Sequence, residues 1–184
     1  ARDQSLRSKL APHFLFNTLN SLKAQIERDP QMAAHTADRL AGLFRQLVEA
    51  ADRPTVPLKE ELAFVEAYLG IERDRMGDRL QVSVEIPEEL EEVEVPPFSL
   101  QVLVENAVKH DVAPLETGGR VQIRAWREGR FLYLSVDDPG QGPGLGTPGT
   151  GTALETLRQR LARPEDLEMG MAEGHHRVTF RWRA

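Results

Sequence analysis

The stretch PPFSLQVLVENAVKHD (96–111) puts Leu100, Leu103, Val104, Ala107 and Val108 on one face of a helix over 97–110. Glu105, Asn106 and Lys109, flanked by His110, fall on the other. That polar face offers a carboxylate, an amide oxygen and two donors suited to phosphate. Mg²⁺ takes only one or two protein oxygens and completes its octahedron with water and substrate phosphates, so one Asn is enough to hold it. An i,i+4 Glu105–Lys109 pair on a solvated helix would use the same residues without a ligand. Spacing alone supports both readings. A second group with chemistry stands near the start, in PHFLFN (12–17). His13 is either a packed, hydrogen-bonded residue beside a greasy helix, or a nucleophile on one face while Leu15 and Leu19 bury the other.

Other candidates carry less. In DDPGQGPGLGTPGTGT (137–152), Gly144, Gly146 and Gly149 satisfy G-x-G-x-x-G. That fingerprint needs its glycines in the turn directly between strand and helix of a βαβ unit. Pro148 interrupts, the loop is too long and no second parallel strand is evident, so the dinucleotide reading is set aside. No G-x-x-x-x-G-K-[ST] is present, and a flexible linker would leave the ordered elements on either side unexplained. His175 and His176, adjacent on a strand, point to opposite faces and lack evident partner ligands, so they read as edge or turn residues. His35 has no acidic or histidine neighbour at ligand spacing and reads as a packed helix residue. The chain has no cysteine. Disulfides, thiolate metal sites and cysteine nucleophiles are excluded, and a reducing compartment fits.

The elements that must position these groups follow from periodicity. Leu15, Leu19, Leu22 and Ile26 form a seam suited to a partner helix, with His13, Asn17 and Asn20 as a polar stripe beside it. Asp29-Pro30 breaks the pattern before a second helix with Leu40, Leu43, Phe44, Leu47 and Val48. Two seamed helices in a hairpin predict a four-helix bundle made by two chains, with a bundle from one chain as the alternative. After Pro57 a third helix reaches about Arg75, Met76-Gly77-Asp78 turns, and LQVSVEI (80–86) alternates as a strand. The acidic run 87–95 reads as a solvated loop leading into a short strand. RVQIRAW and FLYLSV form a hairpin around Glu128-Gly129. A loop over 137–152, a short helix over 153–161 and two strands, around 167–172 and 177–182, close the chain. The fold class is α+β: a helical hairpin over 1–53, then an α/β sandwich over 54–184.

Composition narrows the partners. At 184 residues, 40% hydrophobic and 28% charged, the chain can build one good core or two modest units. A net charge of −6 argues against general nucleic-acid binding, though not against a local basic pocket. No run reaches the roughly 18 apolar residues of a membrane span, and no signal-peptide pattern opens the chain. The polar start ARDQSLRSKLA reads as a piece of something longer.

PHFLFNTLNSL (12–22), PPFSLQVLVENAVKH (96–110) and VDDPGQG…GTGTALETLRQRL together resemble sensor histidine kinases of the PHFLFN class. These are bacterial two-component proteins whose C-terminal half is a GHKL-type ATPase domain of the Bergerat fold. The likeness covers nearly the whole chain in the right order. It implies a cytoplasmic portion of a membrane-anchored protein, a homodimer through the N-terminal helices, and a response regulator as partner. ATP and Mg²⁺ would be bound. His13 would accept the phosphoryl group, and Asn17, one turn along the same face, could orient the ring or the incoming phosphate. Asn106 would ligate Mg²⁺, with Glu105, Lys109 and His110 lining the phosphate side. Asp138 would take the adenine amino group, while Gly140 and Gly142 keep the backbone close to the nucleotide. Residues 142–152 would be the lid over ATP, with Gly149 and Gly151 bringing N–H groups near the phosphates. Phe14 follows His13, so a neighbouring carboxylate is not at hand as base, and Glu105 is the substitute.

The departures from the family pattern are specific. Pro139 stands where Asn is usual, Asp111 and Ala153 where Gly is usual, and Thr156 where Asn is common. A methyl at a close-approach glycine position costs on the order of 1 kcal/mol or more. The rival reading is a pseudokinase, a dimeric scaffold with a weakened nucleotide site.

Overall fold

A computed structural model describes residues 12–50, 53–140 and 166–183. Gly142, Gly149, Gly151, Ala153, Thr156 and the helix expected over 153–161 lie outside them. Helix α1 (Pro12–Arg28) and helix α2 (Pro30–Ala50) each open on a proline, whose missing N–H costs nothing in a first turn. Asp29 alone separates them, and its Oδ1 accepts the Met32 N–H at 3.0 Å as an N-cap. The two helices pack against each other. Ala33, Thr36, Leu40 and Leu43 are buried along α2 at helical spacing, while Leu19 and Ile26 on α1 stay exposed. His35 is exposed on α2, not packed as its surroundings suggested. Among the described residues no helix is long and apolar enough to cross a membrane.

The second half is built on one sheet. Strands β2 (Leu80–Glu85), β4 (Gly119–Glu128), β5 (Phe131–Asp138), β6 (Leu167–Ala172) and β7 (His175–Arg183) lie in the order β2-β4-β5-β7-β6. Two short strands, β1 (Val56–Pro57) and β3 (Glu94–Val95), pair separately. Helix α3 (Leu58–Met76) and helix α4 (Ser99–Asn106) supply Val65, Leu69, Leu100, Leu103 and Val104 to the core. Facing residues of the sheet are Val121, Ile123, Leu132, Leu134, Val136, Val178 and Phe180. Each such side chain, fully buried, contributes roughly 1.5–3 kcal/mol. Within the acidic run, Leu90 is buried and anchors an otherwise solvated loop.

Three local expectations change. β2 and β4 run parallel, joined by a crossover that contains α4, so the chain does hold a parallel pair. The glycine-rich stretch lies after β5, outside that crossover, and the dinucleotide fingerprint gains nothing. The hairpin turns on Gly129-Arg130, with Gly129 at φ +58°, because Glu128 pairs with Phe131. Asp137 and Asp138 belong to β5 instead of the loop, since both pair with β7, opposite Arg177 and His176.

Gly118 packs where no side chain fits. Its φ is +68°, and a Cβ there would lie 2.0 Å from the Arg79 carbonyl oxygen. Gly118→Ala is expected to lower stability by about 1–3 kcal/mol, read as a lower urea midpoint with unchanged slope.

Candidate active site

The expected helix over 97–110 is not uniform. α4 ends at Asn106, and Ala107–Val112 continue as a π-helical turn whose Ala113 N–H reaches back to Val108 at 2.8 Å. Such a wider turn is a device common at functional sites. It packs directly on β4 and β5.

The start of α4 is set from a distance. Glu61 on α3 is buried, and its carboxyl accepts the N–H groups of Phe98 at 2.6 Å and Leu100 at 2.9 Å. Phe98, at φ +70°, is thereby held in a conformation that bulky residues rarely adopt. Burial pushes the Glu61 carboxyl up to about 7, against the pull of those N–H bonds.

Side chains along the turn divide into two groups. Glu105 is hydrogen-bonded by the Gln101 amide, and its other electrostatic neighbours are Lys109 and, on α3, Glu72. Burial raises it to about 7, with the Gln101 bond and the Lys109 charge working against burial. Asn106 and His110 are half-buried, and Lys109 is exposed. Asp111 faces the other way, toward the end of β5.

There Asp138 is fully buried. Its Oδ1 accepts the Gly140 N–H at 2.8 Å, and its Oδ2 meets His176 Nδ1 at 3.1 Å. Asp111 Oδ2 lies 3.9 Å from the same nitrogen. Gly140 is needed here, because a Cβ on it would sit 2.2 Å from Asp111 Oδ1 and 2.7 Å from Asp138 Oδ1. Gly119 likewise leaves the room that Pro139 fills, a Cβ falling 2.4 Å from its ring. Burial and the Asp138 charge push Asp111 up to about 6, and His176 opposes them. The Asp138 hydrogen bond raises His176.

The structure therefore joins Asp138 and Gly140 to the end of the 97–112 segment through Asp111. His13 and Asn17 lie on the backbone of α1, and their side chains fall outside the described residues. Reading His175-His176 as edge or turn residues holds for His175, exposed beside the Glu173-Gly174 turn, and is corrected for His176: β7 lies inside the sheet, and His176 is buried with two carboxylates beside it. The signal was present in the strand. His176 shares its face with Val178 and Phe180, so it had to point into the core.

Comparison with known proteins agrees with this architecture. Residues 1–80 match the family model described as histidine kinase. The chain is 39% identical over 187 aligned residues to the sensor histidine kinase BtsS of Escherichia coli (strain K12), covering 97% of this chain and 33% of that protein. It is 34% identical over 173 residues to the sensor protein LytS of Bacillus subtilis (strain 168), covering 88% of this chain and 29% of LytS. The chain thus spans about a third of the length of these curated relatives. In fold it is similar to the Acinetobacter baumannii histidine kinase AdeS, with a TM-score of 0.52, 14% identity and coverage of 93% and 97%. It is also similar to the histidine kinase ThkA in a crystal structure with the response regulator protein TrrA, with a TM-score of 0.53, 14% identity and coverage of 94% and 59%.

Proposed function

The chain belongs to the sensor histidine kinases, and from that membership we propose that it is a catalytic core that phosphorylates its own His13 from Mg·ATP. The phosphoryl group then passes to an aspartate of a separate response regulator. The observation that carries this reading is the junction at Asp111, which brings the Asn106 segment and the Asp138–Gly140 segment into one site. The similarity to ThkA, whose structure is a complex with a response regulator, supports the second transfer. In this reading 1–53 forms the dimerising, phospho-accepting unit and 54–184 the nucleotide-binding unit, on the cytoplasmic side where ATP is available.

Each residue has a chemical task. Neutral imidazole is available near pH 7, because its ordinary pKa is about 6.5. A His13 nitrogen attacks the γ-phosphorus, an N–P bond forms, the bond to the β-bridging oxygen breaks, and ADP leaves. Asn17 orients the ring. The proton released from the ring goes to a carboxylate, and Glu105, raised to about 7, has the affinity a general base needs. Asn106, half-buried at the end of α4, supplies a hard oxygen that fits Mg²⁺, which neutralises charge on the phosphates when bound. Lys109 and His110 serve the phosphate side, and Asp138 accepts the adenine amino group. Gly140 leaves the backbone room beside Asp138 for a close approach to the nucleotide, a task that Gly142, Gly149 and Gly151, outside the described residues, would share.

The test is incorporation of label from γ-labelled ATP with Mg²⁺. Acid-labile, alkali-stable label is the expected result. One observation favours the scaffold reading instead: Asp138 is fully buried, and both its oxygens are already bonded. No label at millimolar ATP, with nucleotide bound, would decide for the scaffold.

A further inference from the structure

We propose that Asp111, Asp138 and His176 form a site for a divalent transition-metal ion of the zinc type, and that this ion excludes the adenine base from Asp138. The second half rests on the reading of Asp138 as the base-accepting residue. The first half stands on geometry alone.

One ligand atom from each of the three residues lies within 4.8 Å of the others. His176 Nδ1 is 3.1 Å from Asp138 Oδ2 and 3.9 Å from Asp111 Oδ2. A tetrahedral ion with bonds of about 2.0–2.1 Å sets its ligands roughly 3.3 Å apart, so the His176–Asp138 pair is nearly at that spacing and Asp111, on the exposed side, must move in by about 0.6 Å or more. The donor set also selects the ion. Mg²⁺ favours oxygen and water, whereas one imidazole with two carboxylates suits Zn²⁺, Co²⁺ or Mn²⁺.

The surroundings favour a cation. Asp138 is fully buried and His176 is 6% exposed, yet two carboxylates share one imidazole there. Even with the ring protonated, one negative charge is left over in a poorly solvated place. Asp111, with 17% of its side chain exposed, is the open side through which an ion can enter. Gly140 lacks the Cβ that would push Asp111 away.

The excluding effect follows from the oxygens. Asp138 Oδ1 holds the Gly140 N–H and Oδ2 meets His176, so an ion on Oδ2 would draw off the carboxylate's remaining charge and weaken it further as an acceptor for an amino group. Metal and base then compete for one side chain.

The experiment uses the whole chain, stripped with a chelator, and titrates Zn²⁺ by calorimetry and Co²⁺ by its visible absorption. Expected is one tight ion per chain, weakened at least about tenfold by Asp111→Asn and by His176→Gln, and unchanged by His175→Gln. Circular dichroism checks that each variant is folded. Equal affinity in the native chain and both folded ligand variants overturns the site. Adenosine, which carries no phosphates to chelate metal, is then titrated with and without saturating Zn²⁺. Expected is at least about a tenfold loss of adenosine affinity with the ion. Adenosine binding that ignores a bound ion overturns the exclusion. Absence of adenosine binding in the metal-free chain would instead overturn the nucleotide reading of Asp138, leaving the metal titration to stand.

Discussion

Replacing His13 with Gln will abolish incorporation of phosphate from γ-labelled ATP, a loss of more than about a thousandfold. Glutamine keeps a polar side chain and suits a helix, so α1 (Pro12–Arg28) should form as before. What it lacks is a nitrogen lone pair free to attack phosphorus, because the amide delocalises its own. The barrier to chemistry rises while nucleotide binding, assigned to 54–184, stays within about twofold. The measurement pairs label incorporation with nucleotide affinity on the same preparations. Persisting label in the variant would put the phosphate on another of the five histidines and defeat the assignment.

Removing Glu61 will cost more stability than any surface change. In Glu61→Ala the N–H groups of Phe98 and Leu100 lose their acceptors inside the protein. A buried, unsatisfied backbone donor costs about 1–3 kcal/mol, so a loss of roughly 2–5 kcal/mol is expected at pH 5 in urea unfolding. The pH dependence has a definite sign. Burial raises Glu61 to about 7 from 4.5. Between those values the folded chain holds a proton that the unfolded chain releases, so this contribution to stability is full below about 4.5 and is lost as pH rises through about 7. Glu105, also raised to about 7, adds a loss in the same window. Glu61→Gln, which cannot ionise, should flatten the fall in stability between pH 5 and pH 8. An unchanged pH slope in that variant would show that Glu61 is ionised in the fold throughout. The consequence reaches the site, because α4 carries Asn106 at its other end.

Much of the architecture was legible because it is local. The two prolines and Asp29 marked the helix boundaries within a residue or two, and alternating apolar residues located the strand over 80–86, with the other long strands of the described residues also found close to their expected positions. Gly129 marked the hairpin, although the turn lies one residue later than its composition suggested. The pairing of β2 with β4 was not legible, because parallel neighbours are joined through a crossover and leave no turn signal between them.

The site divides along the same line. Sequence alone placed Glu105, Asn106, Lys109 and His110 together, since a helical repeat fixes neighbours at three and four residues, while Asp138 and Gly140 were singled out only through the family resemblance. It also marked Asp111 as unusual. It could not join them. Asp111 meets Asp138 and His176 across 27 and 65 positions (138 − 111 and 176 − 111), on a π-helical turn and two antiparallel strands. Glu61 meets Phe98 and Leu100 across 37 and 39. Side chains so far apart in the chain are brought together only when the sheet closes and its buried face excludes water. Tertiary packing therefore decided which carboxyls are pushed toward their neutral form, and that His176, two residues before Val178 on the inward face of β7, would be enclosed with one of them.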